Sequence, residues 1–219
     1  MPENKLISEE YKALNSKLHA NSEEYGNRNS FLSEKLPETI SLIHKLFKCA
    51  SVLDYGCGKG LIIRSLQKNL AKFPIDIQGY DPCVKTYENP PKPADIIIST
   101  DVLEHIEPDK IDEVLDHIGH LTTRCCYLII DLLPAVKTLP DGRNAHIMLE
   151  TSGWWLNKLA KNFESGVHYI LEKKANPKKN TSPTKKLIFV GTKKSSDILI
   201  AMNFFSLTHA NARQQKTKV

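Results

Sequence analysis

The stretch Asp54-Tyr55-Gly56-Cys57-Gly58-Lys59-Gly60 constrains the fold more than any other part of the chain. It follows a short apolar run, Ser51-Val52-Leu53-Asp54. It opens into a segment, Leu61 to Leu70, whose apolar stripe is Ile62, Ile63, Leu66 and Leu70. A strand, a glycine-rich turn and a helix in that order begin a βαβ unit. Glycines here let the backbone turn tightly and approach a ligand with no Cβ in the way.

The rest of the chain repeats the alternation. Ile75 to Tyr80 reads as a second strand ending at Asp81, and Ala94 to Ser99 as a buried strand by its unbroken aliphatic run. Ile111, Val114, Leu115 and Ile118 mark a helix, and Cys125 to Leu132 another central strand. Trp154, Trp155, Leu159 and Phe163 line a helix with Ser152 as its expected N-cap. Val167 to Leu171 and Leu187 to Thr192 close as strands, separated by a Lys-, Asn- and Pro-rich segment, Glu172 to Lys186, that reads as a mobile, solvated loop. Ahead of the core, Ser8 to His19 and Ser33 to Phe47 have helical spacing, with Pro37 expected early in the second helix. Strands alternating with helices predict an α/β fold with a mostly parallel sheet and helices on both faces. Ligands then bind outside the carboxyl ends of the strands. The expected division is an N-terminal helical segment over 1–50, a ligand-binding domain over 51–194 and a tail over 195–219. The tail is expected to be disordered from Ala210 to Val219.

Composition excludes several classes. Of 219 residues, 41% are apolar, enough for a packed core. The formal charge of +5 permits a nucleic-acid partner without implying one. The first twenty residues carry charges throughout and lack an apolar core, so no signal peptide is expected. No apolar stretch is long enough for membrane insertion. The five cysteines form no C-x-x-C pair, which suits a reduced, cytoplasmic protein.

The glycine loop also restricts the ligand. A dinucleotide site expects G-x-G-x-x-G to hold a pyrophosphate, whereas this loop is G-x-G-x-G. S-adenosyl-L-methionine (SAM) has no phosphate; it has an ammonium, a carboxylate, a sulfonium and a ribose diol. Asp54 suits its amino-acid end, and Asp81 can accept from both ribose hydroxyls. Val52 to Gly60 closely resembles the first motif of the class I SAM-dependent methyltransferases, and Gly79-Tyr80-Asp81-Pro82 looks like their second. Asp101-Val102-Leu103-Glu104-His105-Ile106 resembles the signature of the branch that modifies small molecules. The resemblance runs from about Ser51 to Thr192. It implies a Rossmann-like fold, SAM as cofactor, and Asp54, Gly56, Gly58, Gly60, Asp81 and Asp101 as its binding residues. One departure is plain. Members of the family place a helix and a third strand after the ribose acid, but only Pro82 to Pro93 separate Asp81 from Ala94 here, with four prolines among them. A crossover helix and a strand do not fit in that length. The third, edge strand is therefore expected to be missing, with adenine packed against Val84 or Tyr87.

Asp101-x-x-Glu104-His105 begins just after a buried strand, and residues three and four apart share one face of a helical turn. His146 lies in the loop after the Cys125–Leu132 strand, which opens onto the same mouth. Two carboxylates and two histidines suit a divalent metal: Mg²⁺ by the oxygens, Mn²⁺, Fe²⁺ or Zn²⁺ by the imidazoles. The pattern is similar to that of ubiquinone-pathway O-methyltransferases and small-RNA 2′-O-methyltransferases, with Asp101 in place of a glutamate. The resemblance implies Asp101, Glu104, His105 and His146 as a metal set. The alternatives are a metal-free site, with Glu104, His105 and His146 serving catalysis and His105 as base or substrate-positioning group, and a purely structural role for these residues.

The resemblance implies that the N-terminal helical segment, 1–50, folds over the cofactor as a lid, which makes Tyr11, His19 and Tyr25 weaker candidates for that site. Arg143 is a candidate for an acidic substrate group or a solvated turn residue, and Trp154-Trp155 for an acceptor-pocket wall or, more readily, for packing. The expected activity is O-methylation of a small-molecule acceptor, sugar or lipid precursor. The alternatives are an RNA or nucleotide 2′-O-methyltransferase and a non-catalytic SAM-binding protein.

Overall fold

A computed structural model describes residues 6–22, 25–26, 31–176 and 182–204, the side chains of 31–34 excepted. The elements run α1 (Glu9–Asn21), α2 (Phe31–Phe47), β1 (Ser51–Tyr55), α3 (Leu61–Asn69), β2 (Asp76–Tyr80), β3 (Ala94–Thr100), α4 (Ile111–Leu121), β4 (Thr122–Asp131), α5 (Ser152–Leu159), β5 (Ser165–Lys173) and β6 (Thr184–Thr192). Six strands form one sheet in the order β2-β1-β3-β4-β6-β5. The first four are parallel; β6 runs antiparallel to β4, and β5 antiparallel to β6.

Period-two alternation gives the sheet two apolar faces. Leu53, Ile97, Cys126, Leu128 and Ile130 point to the side covered by α4 and α5. Val52, Ile96, Ile98, Tyr127 and Ile129 point to the other, covered by α2 and α3. In α2, Leu36, Ile40, Ile43 and Phe47 recur at helical spacing and are all 1% exposed or less, so this helix is part of the core. The parallel strands end at a common edge, and the loops after β1, β3 and β4 open there together.

The predicted α/β class holds. Asp81 to Pro93 contains no strand, so β2 is the sheet edge. This connection returns along β2, where the Lys92 N–H donates to Gln78 Oε1.

Three local expectations are corrected. Thr151, not Ser152, caps α5: its extended backbone turns Oγ1 back to accept the Trp154 N–H at 3.2 Å. Pro37 lies inside α2, which begins two residues earlier than expected, rather than in its first turn. The expected loop from Glu172 to Lys186 is shortened at both ends, because β5 and β6 pair as far as Lys173 and Thr184; residues 177–181 lie outside the described residues. After Thr192 a 3-10 turn, Ser195–Asp197, leads into helix from 198 to 204. Ala201 and Phe204 are buried there against the α2 face of the sheet. The expected disordered end, 210–219, lies outside the described residues.

Because α2 completes the core, Ile40→Ala should destabilise the protein by about 2–5 kcal/mol in chemical denaturation. Leu199→Ala, at a 72% exposed position, should shift stability by no more than about 0.5 kcal/mol.

Candidate active site

The glycine loop is pinned to the end of β2. The N–H groups of Gly56 and Cys57 both donate to the Tyr80 carbonyl, at 2.7 and 3.1 Å. Gly56 has φ +79°, and a Cβ there would lie 2.4 Å from a Val102 methyl. Gly58 has φ +52°, and a Cβ there would meet the Gly26 carbonyl at 2.6 Å. Neither position accepts a side chain. Asp81 spans the turn: one carboxylate oxygen accepts the Gly58 N–H and the other the Cys83 N–H, each at 2.9 Å. Asp54 lies beneath, 1% exposed, with Oδ2 unpartnered among the described residues. Burial first, and the Asp81 charge second, push its pKa up to about 8.

This loop is one wall of a cavity of about 610 Å³. Gly56, Gly58, Asp81, Pro82 and Cys83 line that side. Asp101, His105, Asp131 and His146 line the other. The face of α1 at Tyr11, Asn15 and His19, together with Tyr25, lines the cavity as well. The helix is tied down at both ends of the cleft. Ser8, which caps α1, donates through its N–H and hydroxyl to the Glu107 carboxylate at 2.8 and 2.6 Å. Tyr11 Oη donates to the His105 carbonyl at 2.7 Å, and Ser16 Oγ to the Cys83 carbonyl at 3.1 Å.

The second wall is built where β3 ends. Asp101 takes φ +57°, and a single 3-10 turn, Leu103–His105, follows. This turn buries Glu104 completely. Glu104 Oε1 accepts the Asp131 N–H at 3.1 Å, while Oε2 has no partner among the described residues. Burial, and then the neighbouring Asp101, raise the Glu104 pKa well above the usual carboxylate range. The loop after β4 returns His146 to this point. Nδ1 of His105 faces the Ala145 carbonyl at 2.7 Å, and Nδ1 of His146 faces the Leu133 carbonyl at 2.5 Å. A carbonyl only accepts, so each Nδ1 carries the proton and each neutral ring keeps its lone pair on Nε2. Burial first, and His146 second, hold the His105 pKa down to about 3. The two rings meet edge to face at 4.8 Å, and His146 Nε2 lies 4.0 Å from Glu104 Oε1. Glu104, His105 and His146 each offer a ligand atom, all within 4.8 Å of one another.

Asp101 does not join them, so the expected four-residue cluster is corrected to three. Its carboxylate groups instead with Glu104 and Asp131. Lys186 Nζ stands 2.5 Å from Asp101 Oδ1 and 3.1 Å from Asp131 Oδ2. Lys186, taken from sequence as part of a solvated lysine-rich loop, is only 8% exposed.

Other candidate residues divide in the same way. Gly60 does not line the cavity; at φ +74° it starts α3 beneath the Tyr87 ring. Tyr87 is held there against Gly60 and Gly79, and neither it nor Val84 lines the cavity, which corrects the expected adenine contact. Leu61, Ile62, Pro82 and Cys83 lie there instead. Trp155 is fully buried in the core, and Trp154 packs against it edge to face at 5.1 Å. Arg143 pairs with Asp141 in an exposed turn. The sequence reading missed Asn15, Asp131 and Lys186. Asn15 had a signal, since it falls on the helical face of Tyr11 and His19.

The family described as "Methyltransferase domain" matches residues 23–166. No curated protein sequence matches the chain. Among solved structures, an O-methyltransferase family protein from Burkholderia thailandensis is 12% identical, with a TM-score of 0.54; the match covers 87% of this chain and 64% of that one. The 1,6-didemethyltoxoflavin-N1-methyltransferase of the same organism, solved with its substrate and S-adenosylhomocysteine (SAH), is 15% identical over 85% of this chain and 90% of that one, with a TM-score of 0.56. The plantazolicin methyltransferase BpumL, in complex with SAH, is 16% identical over 84% and 96%, with a TM-score of 0.54. At these identities the likeness is one of fold. The match of the family to most of the chain decides the relationship: the chain belongs to the methyltransferase-domain family.

Proposed function

We propose that this enzyme methylates a hydroxyl of a small-molecule acceptor, with SAM held by the glycine-loop wall and a divalent metal held by Glu104, His105 and His146. The observation that carries the reading is the donor set on the second wall. Ligand atoms of two imidazoles and of a fully buried carboxylate, one of whose oxygens is unpartnered among the described residues, converge within 4.8 Å of one another beside the cofactor cavity. Both imidazoles are oriented from behind by backbone carbonyls, the arrangement that fixes metal-ligating histidines. Two nitrogens and an oxygen suit Mn²⁺, Fe²⁺ or Zn²⁺ better than Mg²⁺.

The residues of the first wall fit SAM. Asp81 faces the cavity with a carboxylate fixed by two N–H groups, able to accept further hydrogen bonds from a ribose diol. Asp54 Oδ2 is a buried acceptor without a partner beneath the loop, suited to act on a ligand ammonium through the turn. The left-handed glycines leave the loop backbone open to the cavity. SAM brings a methyl group already activated on a sulfonium, so the protein's task is to orient the acceptor and exclude water. The α1 face at Tyr11, Asn15 and His19 serves as the lid that does so. A metal, when bound, would lower the pKa of the acceptor hydroxyl. Leu6, Ile7, Ala135 and Val136 also line the cavity and favour an acceptor with an apolar body.

Asp81→Ala should weaken SAM binding by roughly 1–3 kcal/mol in calorimetry, because a buried diol loses its acceptor; unchanged affinity would remove Asp81 from the site. Incubation with labelled SAM and separate pools of metabolites, lipids and RNA should label the metabolite or lipid pool. Chelation should abolish that turnover and Mn²⁺ or Zn²⁺ restore it, with His146→Ala lowering turnover while SAM affinity holds. Full turnover in chelator would leave the histidines with a metal-free role. Asp54 gives a pH signature. Its folded pKa of about 8 exceeds the ordinary 3.8, so the folded state keeps a proton that the unfolded state has released. The stability this contributes is complete below about pH 4 and is lost as pH rises through 8. Asp54→Asn should remove that downward slope from the thermal midpoint measured without cofactor.

A further inference from the structure

At the mouth of the cleft three neighbouring strands bring charges into a row. Asp101 follows β3, Asp131 ends β4, and Lys186 stands opposite Asp131 near the start of β6. The antiparallel direction of β6 matters, because it brings the beginning of a strand to the edge where the parallel strands end. The Lys186 side chain, 10% exposed, reaches both aspartates. Glu104 belongs to two groups of converging donors, one with His105 and His146, the other with Asp101 and Asp131. The second group already contains a cation, the Lys186 ammonium.

We propose that Lys186 is a positioning residue that holds Asp101 out of the metal's coordination, so that the site in this chain has three protein ligands and stays open toward the acceptor. The inference rests on the metal reading above and deepens it. An ammonium at 2.5 Å from Asp101 Oδ1 competes directly with a divalent ion for that carboxylate. It also offsets part of the charge of Asp101 and Asp131, and Glu104, whose Oε2 is unpartnered among the described residues, is the carboxylate grouped with the two histidines. Three protein ligands with an open position is the arrangement of catalytic metal sites, whereas a fourth protein ligand would close it. Lys186 and Asp101 thus settle together how many positions an acceptor oxygen can use.

The test is Mn²⁺ binding by the full-length protein, followed by calorimetry and by the electron paramagnetic resonance of the bound ion. His146→Ala should weaken binding by more than the roughly 10–100-fold that follows loss of a ligand's supporting partner. Asp101→Asn should leave it within about threefold, a small fraction of that loss. Lys186→Met frees Asp101 and should tighten Mn²⁺ binding by about tenfold, in the range of coupling between neighbouring charged groups. It should also change the resonance of the bound ion. The double variant D101N/K186M should lose that gain, a coupling that a merely structural lysine would not produce. The proposal is overturned if Asp101→Asn weakens Mn²⁺ binding as much as His146→Ala, or if Lys186→Met folds and binds Mn²⁺ as the parent does. Should Lys186→Met not fold, Asp101→Asn against His146→Ala decides alone. Absence of Mn²⁺ binding by the parent and by Lys186→Met alike would overturn the metal reading, and this inference with it.

Discussion

Burial of the Glu104 carboxylate at the junction of β3 and β4 is the constraint around which this wall of the cleft is arranged. A carboxylate removed from water needs compensation by hydrogen bonds or nearby charge. The Asp131 N–H supplies one hydrogen bond, and the backbone carbonyl of Glu104 accepts the Met148 N–H, so the turn after β3 is tied to the end of β4 and to the loop beyond it. That loop must then return over the turn, which brings His146 back against His105. The lone-pair geometry of both histidines follows from the backbone carbonyls of that loop and not from each other. One oxygen of Glu104 is left without a partner among the described residues.

The opposite wall obeys a different rule. There the backbone itself is the functional surface, and the side chains nearby serve to hold it in place. Asp81 fixes the turn through the Gly58 N–H, the Tyr80 carbonyl fixes its beginning, and the Gly26 carbonyl accepts the Lys59 N–H from outside. The N-terminal segment is therefore integral to the cleft. α1 bridges the two walls through Glu107 and the His105 carbonyl at one end and the Cys83 carbonyl at the other. Loss of the edge strand has a local consequence as well. The short connection after Asp81 folds Tyr87 onto Gly60 and Gly79, filling space beside β2 without entering the cavity. No helix among the described residues is long and apolar enough to cross a membrane.

Much of this was legible in the residues. Periodicity located every strand and α4, because a buried strand and an amphipathic helix must write their environment into their apolar spacing. The missing edge strand followed from chain length alone, since the residues between Asp81 and Ala94 cannot cross the sheet twice. The misread segments have one cause. Thr184, Lys185 and Lys186 are strand residues by pairing, not by composition, and their lysines resemble a solvated loop until β5 and β4 are placed on either side. Helix 198–204 escaped notice because its burial depends on the face of the sheet against which Ala201 and Phe204 rest.

The sequence by itself determined which groups could do chemistry at this site: the glycine turn, the two acids of the cofactor wall, and the Glu-His pair after β3. These are local patterns, in which covalent spacing along one turn or one strand end already sets the geometry. Only the tertiary structure decided which of them act together. It brought His146 across a loop to Glu104, and it placed the buried Lys186 from an antiparallel strand against Asp101. Spacing along the chain predicts neither event, because both depend on which strands are neighbours in the sheet and on the direction in which each one runs.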